Sequence, residues 1–309
     1  MPGFIPPELA TLVSAPPSGA DWLHEMKFDG YRVQVHLDGG EARAFTRGGH
    51  DWTHRFAALM KAAPKVFKAR QAIVDGEAVV MDASGVSDFG ALQEALGKGA
   101  KHPISFHAFD LLHIDGQDLR RLPLEQRKRL LRGILKPGDS FKFSDHIEGD
   151  GTPFYRQACR MKLEGIVSKR CGSRYISDRT KDWLKTKCTA RQEFVIGGWR
   201  ISTAMPLGAL LVGYYDDTGR LIFAGKVGTG FSDKVGADLA RRLRAIKRHA
   251  SPFLKVPAEF RRSEWVEPRL VAEVEYTAWT RDGYLRHASF KGLREDKRPQ
   301  DIRREKSAG

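Results

Sequence analysis

Residues 25–37 read Glu25-Met26-Lys27-Phe28-Asp29-Gly30-Tyr31-Arg32-Val33-Gln34-Val35-His36-Leu37. Tyr31, Val33, Val35 and Leu37 alternate with Arg32, Gln34 and His36, the two-residue period of a half-buried strand. Asp38-Gly39-Gly40 supplies a turn into a return strand through Phe45. Lys27 therefore stands at a strand end, with Asp29, Gly30 and Arg32 inside the next five residues. A lysine is nucleophilic only when neutral, and neighbouring cations, a metal or desolvation bring its pKa down. On these residues alone, a reactive lysine and an ordinary ion-paired surface strand stand side by side.

Working outward, the opening Met-Pro-Gly-Phe-Ile-Pro-Pro and the stretch Pro16-Pro17-Ser18-Gly19 read as extended, irregular lead-in. Residues 52–62 and 88–96 have helical patterning, and 72–81 and 104–114 read as strands. Leu124–Leu135 forms a charged amphipathic helix after Pro123. A helix around 153–163 precedes short strands at 164–170 and 182–187. Beyond residue 190 the texture changes to short strands at 194–199, 207–215, 221–227 and 270–279, separated by glycine-bearing turns. One helical stretch, about 231–248, interrupts them. Five or so short strands with one helix suggest a small β-barrel of the OB type. The expectation is an α+β chain with domains at 1–190 and 191–309.

At 309 residues, 41% of them hydrophobic and 29% charged, the chain can bury a core, which excludes a disordered or collagen-like polymer. It has no run of about 18 apolar residues and no apolar leader, so neither a membrane span nor export is expected. The net charge of +14 points to polyanionic partners, nucleic acid first. Residues 191–309 hold 23 basic and 15 acidic side chains, so the surplus is denser there. Arg241, Arg242, Arg244, Lys247 and Arg248 fall on the expected helix and suggest a grip on a phosphate backbone. Cys159, Cys171 and Cys188 are odd in number and without C-x-x-C spacing, which supports neither disulfides nor zinc. A reduced, cytoplasmic protein is expected.

Several further stretches carry chemistry, each with a plain alternative. Thr46-Arg47-Gly48-Gly49 could cradle a phosphate or be a simple glycine turn. Asp75 and Glu77 should share a face of their strand, as metal or ribose ligands or as half of a buried salt bridge. Phe106 and Phe109 flank His107 on a strand, where an aromatic is more often core than a stacking platform. Glu164 through Lys169, and Asp182 through Lys187, are short strands bearing a carboxylate and lysines. Lys185 and Lys187 share a face suited to a polyphosphate, although paired lysines are commonly just solvated.

Taken in order, K-x-D-G-x-R, T-R-x-G, D-G-E, F-D, E-G-x-V-x-K, W-x-K-x-K and the late R-x-D-K resemble the motif series of the covalent nucleotidyltransferases. These are ATP-dependent DNA ligases, RNA ligases and mRNA capping enzymes. The stretches W-L-H-E-M-K-F-D-G-Y-R, V-I-G-G-W-R, F-A-G-K-V-G-T-G-F and L-R-H-A-S-F-K-G-L-R-E-D-K are similar to the ligase module of bacterial ligase D, the end-joining DNA ligase. The likeness covers nearly the whole chain but no polymerase or phosphoesterase module, which fits either a stand-alone relative or an excised module.

The resemblance implies an adenylation domain of ATP-grasp-like antiparallel sheets with helices, followed by an OB-fold domain. It implies that Lys27 attacks the α-phosphate of ATP and carries AMP, which passes to a 5′-phosphate before a 3′-hydroxyl displaces it. Glu77 and Glu164 would hold Mg²⁺ or Mn²⁺ and ribose. Phe109 would stack on adenine, and Glu25 would lie where the 6-amino group is read. Arg32 and Arg47 would hold phosphates of the break, with Asp29 near the reacting groups. Lys169, Lys185 and Lys187 would bind phosphates, while Arg294, Asp296 and Lys297 would orient the departing pyrophosphate. The implied substrate is nicked or broken double-stranded DNA, with the end-binding Ku protein as partner, and a monomer acting in the cytoplasm at the nucleoid. Two alternatives stay open at this stage. One is an RNA ligase or GTP-using capping enzyme, and the other a non-catalytic OB-type nucleic-acid-binding protein.

Overall fold

The computed structural model describes residues 1–97, 102–136, 138–201 and 207–305. The chain divides into two units, Met1–Cys188 and a second from Thr189 onward. In the first unit the strands are β1 Leu9–Leu12, β2 Trp22–Lys27, β3 Tyr31–Asp38, β4 Glu41–Thr46, β5 Gln71–Val80, β6 Ile104–Ile114, β7 Gln117–Asp118, β8 Phe141–Phe143, β9 His146–Glu148, β10 Gly165–Arg170 and β11 Arg179–Lys187. Its helices are α1 Ala57–Val66, α2 Phe89–Leu96, α3 Leu124–Ile134 and α4 Gly151–Arg160. The strands form two mainly antiparallel sheets, ordered β4-β3-β5-β6-β7 with β8 beside β6, and β1-β11-β10-β2-β9.

The alternation in β3 has the expected consequence on one face. Tyr31, Val33, Val35 and Leu37 are buried in a core shared with residues of α1, α2 and α3. Each such side chain contributes roughly 1.5–3 kcal/mol by leaving water. The other face departs from the half-buried expectation, because Gln34 and His36 are buried too. The lead-in covers them: Ile5 N–H donates to Gln34 Oε1 at 3.1 Å, and Gln34 Nε2 donates to Ile5 O at 2.7 Å. A buried amide that meets a backbone amide in both directions leaves no polar group stranded.

Gly30 joins β2 to β3 where no other residue fits, since a Cβ there would lie 2.3 Å from Ala78 O. Between the two proline-rich stretches of the lead-in lies β1, which pairs in parallel with β11 and for which the sequence offers no expectation. Helix α1 begins five residues later than the patterning suggests and runs to Val66, with turns over 53–56.

A further departure concerns cysteine. Cys159, in the last turn of α4, is bonded to Cys188, just past β11. A sequence separation of 29 residues gives no sign that the two ends meet, so the all-thiol expectation is corrected. Cys171 is a free thiol.

The second unit contains β12 Ala190–Arg200, β13 Ala209–Tyr215, β14 Leu221–Val227, helix α5 Asp233–Ala245, β15 Lys247–Arg248, β16 Glu264–Tyr276, β17 Ala278–Trp279, β18 Leu285–Arg286 and β19 Ser289–Leu293. Its main sheet runs β14-β13-β12-β16-β15, with β19 also on β16. One apolar cluster gathers Phe194, Leu210, Val212 and Val274 with Leu239 and Leu243 of α5, and a second gathers Phe223, Phe253, Phe260 and Trp265. The helix stops at Ala245, so Lys247 and Arg248 belong to a strand paired with β16. Among the described residues, no helix is long and apolar enough to cross a membrane.

Candidate active site

Register sets the charged row. Gly165 in β10 lies opposite Lys27 in β2 and opposite Lys187 in β11. One step along, Val167 lies opposite Glu25 and Lys185; one step further, Lys169 lies opposite Leu23 and Trp183. Since side chains alternate along strands, Glu25, Lys27, Lys169, Lys185 and Lys187 share one face. Gly165 has φ +151°, and a Cβ would sit 2.1 Å from Thr186 O. The glycine thus lets the strands approach and leaves the space between Lys27 and Lys187 without an intervening side chain. Lys27 Nζ bonds Glu164 Oε2 at 2.5 Å. The backbone of Glu164 is held in turn, its carbonyl accepting from Cys188 N–H at 2.9 Å.

Two members of this face, Glu25 and Lys169, belong to a buried polar cluster. Glu25 Oε1 accepts from Lys128 Nζ at 2.8 Å and is 3.0 Å from Lys169 Nζ, while Ser144 Oγ–H donates to Oε2 at 2.9 Å. Burial alone would raise the Glu25 pKa, but the two ammonium groups hold it below the usual carboxylate range. Burial pushes the Lys169 ammonium down, against the pull of Glu25. Lys169 Nζ makes that contact without the alignment of a hydrogen bond. It lies 4.3 Å from the Phe109 ring centroid and 4.2 Å from that of Trp183, so cation–π attraction replaces part of its lost hydration.

The other sheet contributes a second network. Arg32 forks onto Asp75, with Nε–Oδ1 3.1 Å and Nη2–Oδ2 2.7 Å, and its Nη1 donates to Glu8 O at 2.6 Å. Tyr175 O–H donates to Asp75 Oδ2 at 2.7 Å. Despite burial, Asp75 holds the Arg32 pKa above its ordinary value. Asp75 is therefore committed to a buried salt bridge, one of the two readings left open for Asp75-Gly76-Glu77. Glu77 lies opposite Arg32 and His107 in register and is half-buried. Phe109 is partly buried, edge-on to Trp183 at 6.0 Å, whereas Phe106 is core. Asp29 is buried, its N–H donating to Ser87 Oγ, and half-buried Arg47 follows β4.

Arg294, Asp296 and Lys297 belong to the second unit. Arg294 forks onto Asp296 with two contacts of 2.9 Å and reaches Glu273 at 2.9 Å; Lys297 Nζ meets Glu193 at 2.9 Å. Burial is overridden at both ends of the Arg294–Asp296 pair, which raises the arginine pKa and lowers the carboxyl. The basic run expected to grip phosphates is largely paired with acids. Arg241 and Arg242 meet Asp238, Arg242 also meets Glu295, Lys247 meets Glu264, and Arg248 stands 3.7 Å from Glu267.

Sequence reasoning passed over Arg127, Lys128 and Tyr175, and gave Asp110 of the F-D pair no role. Arg127 forms a fully buried bidentate pair with Asp110, 2.8 and 2.9 Å. A signal existed, since Leu124, Arg127, Lys128 and Leu131 recur at i, i+3, i+4 and i+7, the apolar stripe of α3. Two cations on that stripe require buried anions to receive them.

The chain is similar to known proteins over both units. Residues 9–187 match the family model of the ATP dependent DNA ligase domain, and residues 203–297 that of the ATP dependent DNA ligase C terminal region. The chain is 42% identical, over its whole length, to the multifunctional non-homologous end joining protein LigD of Pseudomonas aeruginosa. It is 38% identical over 93% of its length to the LigD protein of Mycobacterium tuberculosis. In both comparisons the chain spans 38% of the relative's length. A solved mycobacterial DNA ligase D complexed with ATP and MES is 36% identical and superposes with a TM-score of 0.71, over 97% of this chain and 98% of that one.

Proposed function

The chain belongs to the ATP-dependent DNA ligase family, with an adenylation domain and an OB-fold domain, and from that premise we propose that it seals 3′-hydroxyl/5′-phosphate breaks in double-stranded DNA during end-joining repair. The observation that carries this reading is the row of Lys27 and Lys187 across Gly165, with Glu164 2.5 Å from Lys27 Nζ. Lys27 Nζ forms a P–N bond to the α-phosphorus of ATP as the P–O bond to pyrophosphate breaks, and the amine proton is released. An oxygen of the break's 5′-phosphate then attacks the same phosphorus, forming a P–O–P link as the P–N bond breaks and Lys27 regains its amine with a proton. The 3′-hydroxyl displaces AMP, closing the phosphodiester. Each step is a displacement with an activated leaving group, so positioning and charge stabilisation do most of the work.

In this reading Lys185 and Lys187 meet phosphate oxygens, and Phe109 faces adenine with Lys169 behind it. The Glu25 carboxylate is already held by two hydrogen bonds and the Lys169 ammonium, so polar reading of the base falls to the backbone beside it. Arg32 and Arg47 take phosphates of the break, with Asp29 near the reacting groups. Glu77 and Glu164 offer hard oxygens. Among the described residues no group of three or more acidic, His or Cys side chains could cage a metal. A cation held by one or two carboxylates plus substrate phosphates is the habit of Mg²⁺, so the donors fit Mg²⁺ or Mn²⁺. Bound there, the cation would neutralise charge on the α-phosphoryl oxygens. The names of the end-joining relatives support a role in that repair, and Ku as a partner and a monomer acting in the cytoplasm are further parts of the proposal.

Intact mass tests the reading. Incubation with ATP should add one adenylate, and pyrophosphate should remove it. Lys27→Ala should abolish both the adduct and sealing while leaving nicked-DNA binding in place; sealing by that variant would refute the assignment. Labelling by GTP alone would favour the capping-enzyme alternative instead.

A further inference from the structure

Away from the lysine row, the first unit carries an open groove of about 470 Å³ lined by Asp118, Arg120, Arg121, Arg174, Tyr175 and Ile176 with Ser177. Asp118, its one lining carboxylate, is occupied by Arg120, with Nη2–Oδ2 2.6 Å. Arg121 and Arg174 are exposed, and neither has a carboxylate partner among the described residues. Nearby Glu125 does not line the groove; its Oε2 accepts from Gly172 N–H at 2.8 Å. The lining therefore presents an uncompensated charge of two. Tyr175 forms part of the wall, its N–H donating to Arg120 O at 2.8 Å, and its hydroxyl on Asp75 ties the wall to the Arg32 network. Ile176 is 45% exposed beside the arginines.

We infer that this groove is a docking surface for the phosphate backbone of duplex DNA, flanking the sealing site on the side of Arg32. The inference rests on the DNA-sealing reading above. A small anion is captured by buried, converging donors, whereas here exposed arginine heads line an open groove with Tyr175 and Ile176. That pattern suits successive phosphates and the sugars that join them. Contacts of this kind carry no sequence information and position the duplex.

Binding of nicked duplex should be measured against salt for the wild type and for the variant Arg121→Gln with Arg174→Gln. Each lost phosphate contact makes the log–log salt slope shallower by about one. The double variant should therefore bind roughly tenfold or more weakly at low salt, with a slope shallower by about two. Its adenylate formation with ATP alone should stay at the wild-type rate, because no DNA takes part in that step. Unchanged affinity and slope would overturn the inference. Loss of adenylate formation together with binding would overturn it too, by making these arginines part of the fold. As an independent measurement, duplex should slow amide exchange over residues 118–121 and 174–177 of the wild-type protein. No protection there, or equal protection by pyrophosphate, would sink the duplex assignment. A wild-type protein that never forms an adenylate would instead fail the reading of the sealing site, a separate result.

Discussion

Two lysines meet the single buried carboxylate of Glu25, and their unequal alignment decides what each substitution does. Lys128 is the better bonded of the two, donating both to Glu25 and to Ser144 O at 3.0 Å. Replacing Lys128 by Met leaves Glu25 with Ser144 and a misaligned Lys169. Removing one partner of a buried pair typically costs about 3–5 kcal/mol, because the other charge stays buried. Urea unfolding should show a loss of that size for Lys128→Met. Adding Glu25→Gln should not add its full separate cost, since the two groups share one interaction. Additive losses would mean that the pair does not couple, and that Lys128 is held by Ser144 O alone.

At the scale of elements, the bond between Cys159 and Cys188 joins the end of α4 to the end of β11. It closes a loop that contains Glu164, Lys169, Lys185 and Lys187. Loop-closure entropy for 29 residues gives about 3.5 kcal/mol of stabilisation relative to the open chain. Replacing both cysteines by Ser, or reducing the wild type, should lower the stability of the oxidised protein by up to that amount in denaturant titration. A titration of three free thiols in protein isolated without reductant would show that the bond does not form. Nothing in the spacing of the cysteines announces it, because the contact depends on how α4 packs beside β10.

The same distinction separates what the sequence made legible from what it did not. Strands β3, β5 and β6 are long enough to show their own alternation or apolar run, and the Lys27 motif follows from the strand end before Gly30. Strand β1 has four residues and exists only because β11 offers an edge. The helix reading through 248 followed a basic run that continues past the point where the backbone turns to pair with β16. Within the site, Lys27, Lys185 and Lys187 were legible from alternation and motif order. The alignment of Lys27 and Lys187 across Gly165 is a matter of register between strands far apart in sequence. Arg127 and Lys128 were readable as charges, but their burial required knowing which face of α3 meets the sheets.

For the whole molecule, the surplus of 14 positive charges is not spread as a uniform basic surface. Much of the C-terminal share is compensated by local acids, as in Arg242 with Asp238 and Glu295, or Lys247 with Glu264. The uncompensated charge most relevant to DNA therefore includes the first unit, at Arg121 and Arg174. The residues that the family resemblance assigns to the departing pyrophosphate belong to the second unit, whereas Lys27 belongs to the first. This division predicts that the two halves of the reaction respond differently to one substitution. Arg294 is a poor probe, because its removal would leave Glu273 and Asp296 facing each other in a buried place. Lys297 is better: it is half-buried and meets Glu193 near the edge of that network. If it stabilises charge on the leaving pyrophosphate, Lys297→Ala should slow single-turnover formation of the Lys27 adenylate by on the order of tenfold to a hundredfold. Sealing of a break that already carries AMP on its 5′-phosphate releases no pyrophosphate, so it should proceed within about twofold of the wild-type rate. Equal slowing of both reactions would remove Lys297 from the pyrophosphate step and leave it a structural role in the second unit.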